Sequence, residues 1–242
     1  MRTLEGYGRF NPLNIAGIFR RRQVSKYRSL MIKQERLVER VWQDVNQKPS
    51  KSTQEQLNEI GQTLSTQFPS DESKILPTSF GNSMRTLEEY PDIMYGLDGV
   101  TGWTRLQSVI PSEYQIIVNE QRLYRDFWVN SCFVVAILIA EVFLLFSIRP
   151  QNTMIAIILL LFLMSIAWWS YENANDAAQR FGDYVKSSFD LYIDELRQKL
   201  RLPQSDNPRA QREMWTKAIQ GYTYRRSEIL DEVFEHNNKD EG

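Results

Sequence analysis

Two carboxylates, Glu88 upstream and Asp98 within, accompany a short run of glycines in "YGLDGVTGWTRL", where Gly96, Gly99 and Gly102 recur at every third position between Tyr95 and Trp103. Paired carboxylates can carry acid–base chemistry, and glycine-rich loops can cradle phosphates. Neither chemistry finds its other parts here. A dinucleotide fingerprint needs G-x-G-x-x-G after a strand, and a Walker loop ends in G-K-S/T. This chain has G-x-x-G-x-x-G, with no lysine after it and no strand pattern before it. Collagen needs this period sustained over many repeats, and the run here is far too short. Glu88 and Asp98 have no nucleophile or metal set beside them. One cysteine, Cys132, and one histidine, His236 in the polar tail "FEHNNKDEG", argue against an internal disulfide, a protein-built zinc site and a Cys/His pair. No catalytic residue, cofactor or metal is assigned.

Close packing accounts for the glycines better. On a helix, positions 96, 99 and 102–103 fall near one face, where missing side chains let another helix approach. Ile93, Leu97, Val100, Trp103, Leu106 and Ile110 supply the apolar side. The charges Arg85, Glu88, Glu89, Asp92, Asp98 and Arg105, of both signs, crowd a short stretch where they can pair with one another. Asn82, Arg85, Glu88, Asp98, Trp103 and Arg105 are therefore the candidate residues for a partner, a signal or a structural polar network.

A third carboxylate, Glu141, stands inside "FWVNSCFVVAILIAEVFLLFSI", residues 127 to 148. As a helix this run spans about 33 Å, enough for a hydrocarbon core of about 30 Å. "RPQNT" turns the chain, and "MIAIILLLFLMSIAWWS", residues 154 to 170, returns it. An acid inside such a span marks a functional site by default. Asn130 lies eleven residues before Glu141, nearly on the same helical face, with Val134 and Ile137 between. The second span offers Glu141 no basic or amide partner. Two readings stay open: a protonated acid bonded to backbone, or an Asn130–Glu141 face turned to another subunit or a water-filled pore. Both favour a homo-oligomer in the lipid bilayer.

So short a turn leaves both arms on one side of the membrane. Arg122, Arg125, Arg180 and Lys186 flank the spans on that side against Arg149 in the turn, so both termini are expected to be cytoplasmic. Trp128, Trp168, Trp169 and Tyr171 gather at the same end as an interfacial belt.

The elements around the spans read as helices throughout, so the expected fold class is all-α: a transmembrane hairpin whose long helices extend into a helical cytoplasmic domain. Ser112 can cap a helix carrying Tyr114, Ile117, Val118, Gln121, Tyr124 and Phe127 into the first span. Ala174, Ala178, Phe181, Val185, Phe189, Ile193, Leu196 and Leu200 form a helical stripe after the second, which stops at Pro203, with Gly182 as a candidate kink. Residues 25 to 45, with Tyr27, Leu30, Leu37, Val41 and Val45 on one side, and "QEQLNEIGQTLSTQF", with Leu57, Ile60 and Leu64, read as amphipathic helices, and "PSDESKILP" as a linker. Short helices follow through Met214, Trp215, Ile219 and Tyr222, then Ile229, Leu230 and Val233. The segments expected are 1–76, 77–126, 127–170, 171–202 and 203–242.

The 29 basic and 30 acidic residues balance, so nothing drives the whole chain towards nucleic acid. One local run is basic: Arg20, Arg21, Arg22, Lys26 and Arg28. It reads as a solvated helix start or as a surface for anionic headgroups. Nucleic acid ranks last, because no aromatics interleave the charges.

The pattern G-N-x-x-R-x-x-E, then Y-G-x-D-x-V-x-x-W-x-R-L, two spans and "FGDYVKSSFDLYIDELRQKL" resembles a family of uncharacterised bacterial two-span membrane proteins. Gly81, Asn82, Arg85, Glu88, Tyr95, Gly96, Asp98, Val100, Trp103, Arg105 and Leu106 carry the resemblance, with residues 181 to 200, over about 77 to 202. Many relatives have a proline after the tryptophan, where this chain has Thr104. The resemblance implies the two-span architecture and a bacterial inner membrane, and no activity. The expected function is a non-enzymatic hairpin anchor with an assembly or sensing domain, in one version a membrane-perturbing defence effector. The alternatives are a scaffold that docks a soluble protein partner through residues 78 to 110 and, behind it, an enzyme acting on lipid or nucleotide.

Overall fold

The computed structural model describes residues 15–43, 50–148, 153–204 and 207–240, with side chains described to residue 234. Most of the turn "RPQNT", including Arg149, lies outside the described residues, as do Val45 and the side chain of His236. The described residues form helices α1 (Ile15–Gln43), α2 (Lys51–Gln67), α3 (Ser79–Tyr95), α4 (Gly99–Leu106), α5 (Ser112–Ile148), α6 (Thr153–Lys199), α7 (Pro208–Tyr224) and α8 (Ser227–Asp240). A 3₁₀ turn spans Glu72–Lys74. The protein is all-α.

α5 and α6 are long and apolar enough to cross a membrane, with 18-residue windows of mean hydropathy 2.6 and 2.2. Only 6% and 17% of those windows is buried, whereas the central helix of a soluble core is mostly covered. The two helices pack along their length and form the spine of the molecule. On α5 the packed side chains are Val118, Gln121, Arg125, Trp128, Cys132, Val135, Ile139, Val142 and Phe146, at alternating steps of three and four. That 3.5-residue repeat is a coiled-coil seam. On α6 the matching positions Ala156, Leu160, Leu163, Ala167, Ser170, Ala174 and Ala177 are mostly small, which lets the backbones approach.

This seam corrects the sequence reading of α5. Val118 and Gln121 are packed as expected, but Ile117, Tyr124 and Phe127 are exposed, and Arg125 holds a packed position the pattern did not name. Arg125 is only 5% exposed. Its guanidinium binds Asp126 at 2.8 Å and lies 4.3 Å from the centre of the Phe181 ring. A hydropathy pattern cannot register an arginine that a carboxylate and an aromatic face have neutralised. The α6 stripe is buried as expected, and the helix runs unbroken through Gly182, whose missing side chain faces Leu87 of α3.

Above the apolar run, α3 lies along α6. Phe80 packs with Val129, Ala174 and Ala178 next to the aromatic belt. Further along, one core joins Leu87, Leu97, Leu106 and Ile110 to Phe181, Val185, Phe189 and Leu196 of α6 and to Trp215, Ala218 and Ile219 of α7. Residues from 77–126, 171–202 and 203–242 thus share a single interior. α1 and α2 pair with each other, and α2 packs on α3. Their expected apolar positions Leu37 and Ile60 are buried.

"PSDESKILP" is not a free linker. Pro69 and Ile75 are fully buried, and Asn82 reads the backbone beyond them. Its Oδ1 accepts from Leu76 N–H at 2.6 Å and its Nδ2 donates to Leu76 C=O at 3.2 Å.

Candidate functional site

The six candidate residues of the glycine and charge block take separate places. Thr78 caps α3, accepting from Gly81 N–H at 3.0 Å. Asn82, at 0% exposure, pins the preceding loop. One and two turns on, Arg85 reaches Glu88 at 3.4 Å and Glu89 at 3.1 Å, while Lys74 meets the same Glu89 oxygen at 3.0 Å. Asp98 caps α4 by accepting from Thr101 N–H at 2.8 Å and also bonds the Thr101 hydroxyl. Arg105 donates to Thr101 C=O at 3.0 Å and stacks 5.5 Å over Tyr222 of α7. Trp103 packs against Phe189 with ring centres 6.1 Å apart. Arg85 and Glu88 form one cluster on α3; Asp98 and Arg105 belong to another on α4.

The glycines do serve close packing, but not as one helical face. Gly96 ends α3 in the left-handed region at φ +73°, donating to Asp92 C=O at 2.9 Å. A Cβ there would stand 2.6 Å from the Arg212 carbonyl of α7. Gly99 opens α4 against the Glu88 backbone, and Gly102 sits against Leu97. The three therefore fold a tight turn between α3 and α4, onto which α7 closes through Thr216 Oγ1 donating to Gly96 C=O at 2.9 Å. This turn splits the expected apolar side. Leu97, Leu106 and Ile110 are buried, while Ile93 and Val100 are 44% and 66% exposed. A cavity of about 310 Å³ beside the turn is lined by Asp92, Asp98, Thr101, Thr216, Gln220 and Tyr224, among others; Glu88 does not line it. Among the described residues no group of His, Cys, Asp and Glu has the arrangement of a metal site.

One polar cluster was not singled out from the sequence. Tyr90 and Tyr95 both donate to one oxygen of Asp190, at 2.7 and 2.6 Å, tying the last turns of α3 to α6. Burial, reinforced by this carboxylate, pushes the Tyr90 phenol up to about 12 and the Tyr95 phenol higher still. Lys186 lies 5.7 Å from the centre of the Tyr90 ring and donates to Ser65 C=O of α2 at 3.4 Å. Desolvation lowers its pKa, and desolvation likewise raises that of Asp183. Tyr95 and Asp190 stand 95 residues apart, and only the fold joins them.

In the apolar run of α5, Asn130, Val134, Ile137 and Glu141 are all exposed on the side turned away from α6. Glu141 meets no partner among the described residues. At the other end of the spans, Trp128 packs edge-on against Trp169 at 5.1 Å, with Tyr124 and Phe127 around it. Its indole N–H is buried without a hydrogen-bond partner among the described residues.

No family model, curated protein or solved structure matches this chain.

The basic run divides in two. Arg20 donates to Ile75 C=O at 2.8 Å and Ser73 C=O at 2.9 Å. Lys26 donates to Gln67 at 3.2 Å, and Arg28 grips Glu72 through two bonds of 3.0 and 2.5 Å. These three hold α1 to the loop and to α2. Arg21 and Arg22 stay exposed on the outer face.

Proposed function

We propose that this protein is a bacterial inner-membrane assembly protein. Its α5–α6 hairpin anchors it with both termini in the cytoplasm, its helical head joins subunits or receives a signal, and its assembled form perturbs the membrane as a defence-type effector. The observation that carries this reading is the exposed stripe Asn130–Val134–Ile137–Glu141 on apolar α5. A carboxylate facing lipid is costly, and polar side chains between spans supply hydrogen bonds across helices. A second subunit, or a water-filled axis between subunits, removes that cost. The test is oligomer size and ion conductance of the reconstituted full-length protein. Glu141→Leu is expected to reduce both, and unchanged values would sink the proposal.

A second reading, a scaffold for a soluble partner, is favoured by the exposed tip formed by Ile93, Met94 and Val100 around the glycine turn. Asp98 caps α4 and Arg105 braces it against Tyr222 of α7, so the informative substitution is Val100→Asp. Loss of a stoichiometric co-purifying partner in this variant, with oligomer size retained, supports the scaffold over the pore. A scaffold of this kind predicts such a partner; its absence from wild-type preparations argues against it.

A further inference from the structure

We infer that the first turns of α1 dock on anionic lipid headgroups through Ile18, Phe19, Arg21 and Arg22, which rests on α5 and α6 crossing the membrane. Residues 15 to 34 hold six basic and no acidic side chains, a charge of one sign over more than half of α1. Arg20, Lys26 and Arg28 are engaged in holding α1 on the head. Arg21 and Arg22 meet no carboxylate among the described residues, and Arg22 stacks 5.7 Å over the Phe19 ring. Ile18 and Phe19 beside them are 52% and 47% exposed. Apolar side chains flanked by unneutralised arginines are the makings of an interfacial helix.

The fold sets this surface at the right height. Gln23, one residue after Arg22, donates to Ser79 Oγ at 3.2 Å, and Ser79 N–H donates to the Tyr171 hydroxyl at 3.1 Å. Tyr171 stands two residues after Trp169 which, like Trp168, is exposed at the end of the apolar run of α6. Two hydrogen bonds thus connect the outer turn of α1 to the aromatic belt, where headgroups would lie. An anionic surface attracts such arginines; a zwitterionic one lacks the charge to do so.

The test uses the full chain in a Cys132→Ser background, so that one introduced cysteine carries an environment-sensitive fluorophore. Label at Ile18→Cys reports docking; label at Phe162→Cys, exposed on the α6 span, reports membrane insertion. Vesicles contain brominated acyl chains as quencher, in phosphatidylcholine with or without phosphatidylglycerol. The Phe162 label is expected to be quenched in both lipids. The Ile18 label is expected to be quenched only with phosphatidylglycerol, and Arg21→Gln with Arg22→Gln should lower its docked-to-free ratio roughly 25-fold, about fivefold per arginine. A quenched Phe162 label with an unquenched Ile18 label overturns the docking while leaving the hairpin standing. An unquenched Phe162 label overturns the hairpin itself. Quenching at Ile18 that ignores lipid charge and both arginines overturns the electrostatic basis.

Discussion

Tyr90 and Tyr95 share one acceptor oxygen of Asp190, and the sign of the resulting pH dependence follows from their raised pKa values. A phenol whose folded pKa exceeds its ordinary value of 10.0 favours the neutral form in the fold. Its stabilisation is complete below pH 10 and is lost as pH rises through about 12. Thermal stability in detergent should therefore be insensitive to this pair from pH 7 to 9 and fall above pH 10. Asp190→Asn should bring the tyrosinate absorbance titration back towards the ordinary range. The glycines give a second contrast. Gly96→Ala combines positive φ with a carbonyl contact and should destabilise by about 2 kcal/mol. Gly61→Ala, in α2 with nothing within 4 Å of the added methyl, should stabilise by about 1 kcal/mol. Chemical denaturation of the two variants checks the opposite signs.

The elements that matter most are α5 and α6, because their seam continues from the apolar run into the head. Small residues on α6 bring the helices together below, and Phe80 of α3 wedges against the same seam at the boundary. Ala174, 1% exposed there, has no room to grow. Ala174→Leu should cost about 1–3 kcal/mol through overpacking, whereas Ala140→Leu on the exposed side of α5 should be near neutral. Differential unfolding in detergent distinguishes them. Arg125 shows the same seam accepting charge once Asp126 and the Phe181 face surround it.

For the whole molecule, the head encloses its own core, while the apolar runs of α5 and α6 leave most of their surface uncovered. Folding demands on the two halves therefore differ. The head is enclosed within one chain, whereas the Asn130–Glu141 stripe is exposed and, in the proposed function, faces a second subunit or water. If subunits meet there through hydrogen bonds, Glu141→Gln should retain the oligomer that Glu141→Leu loses, because the amide keeps donors and acceptors. Crosslinked oligomer size in membranes reads this difference directly.

The all-α class, the long apolar helices and the α6 stripe were legible in the chain, since composition and helical period depend on local sequence alone. So was the Asn130–Glu141 face, which needs only the pitch of a helix. The α5 stripe was right at Val118 and Gln121 and missed Arg125, because its burial depends on Asp126 together with Met84 and Phe181, the latter two brought beside it by other helices. The glycine block held a true packing signal with the wrong geometry: positive φ at Gly96 and the approach of Arg212 arise only when α7 closes on the turn. The division of the basic run, and the meeting of Tyr90 and Tyr95 on Asp190, were likewise decided by tertiary structure. Side chains distant in sequence select their partners by proximity, and a linear pattern does not encode that proximity.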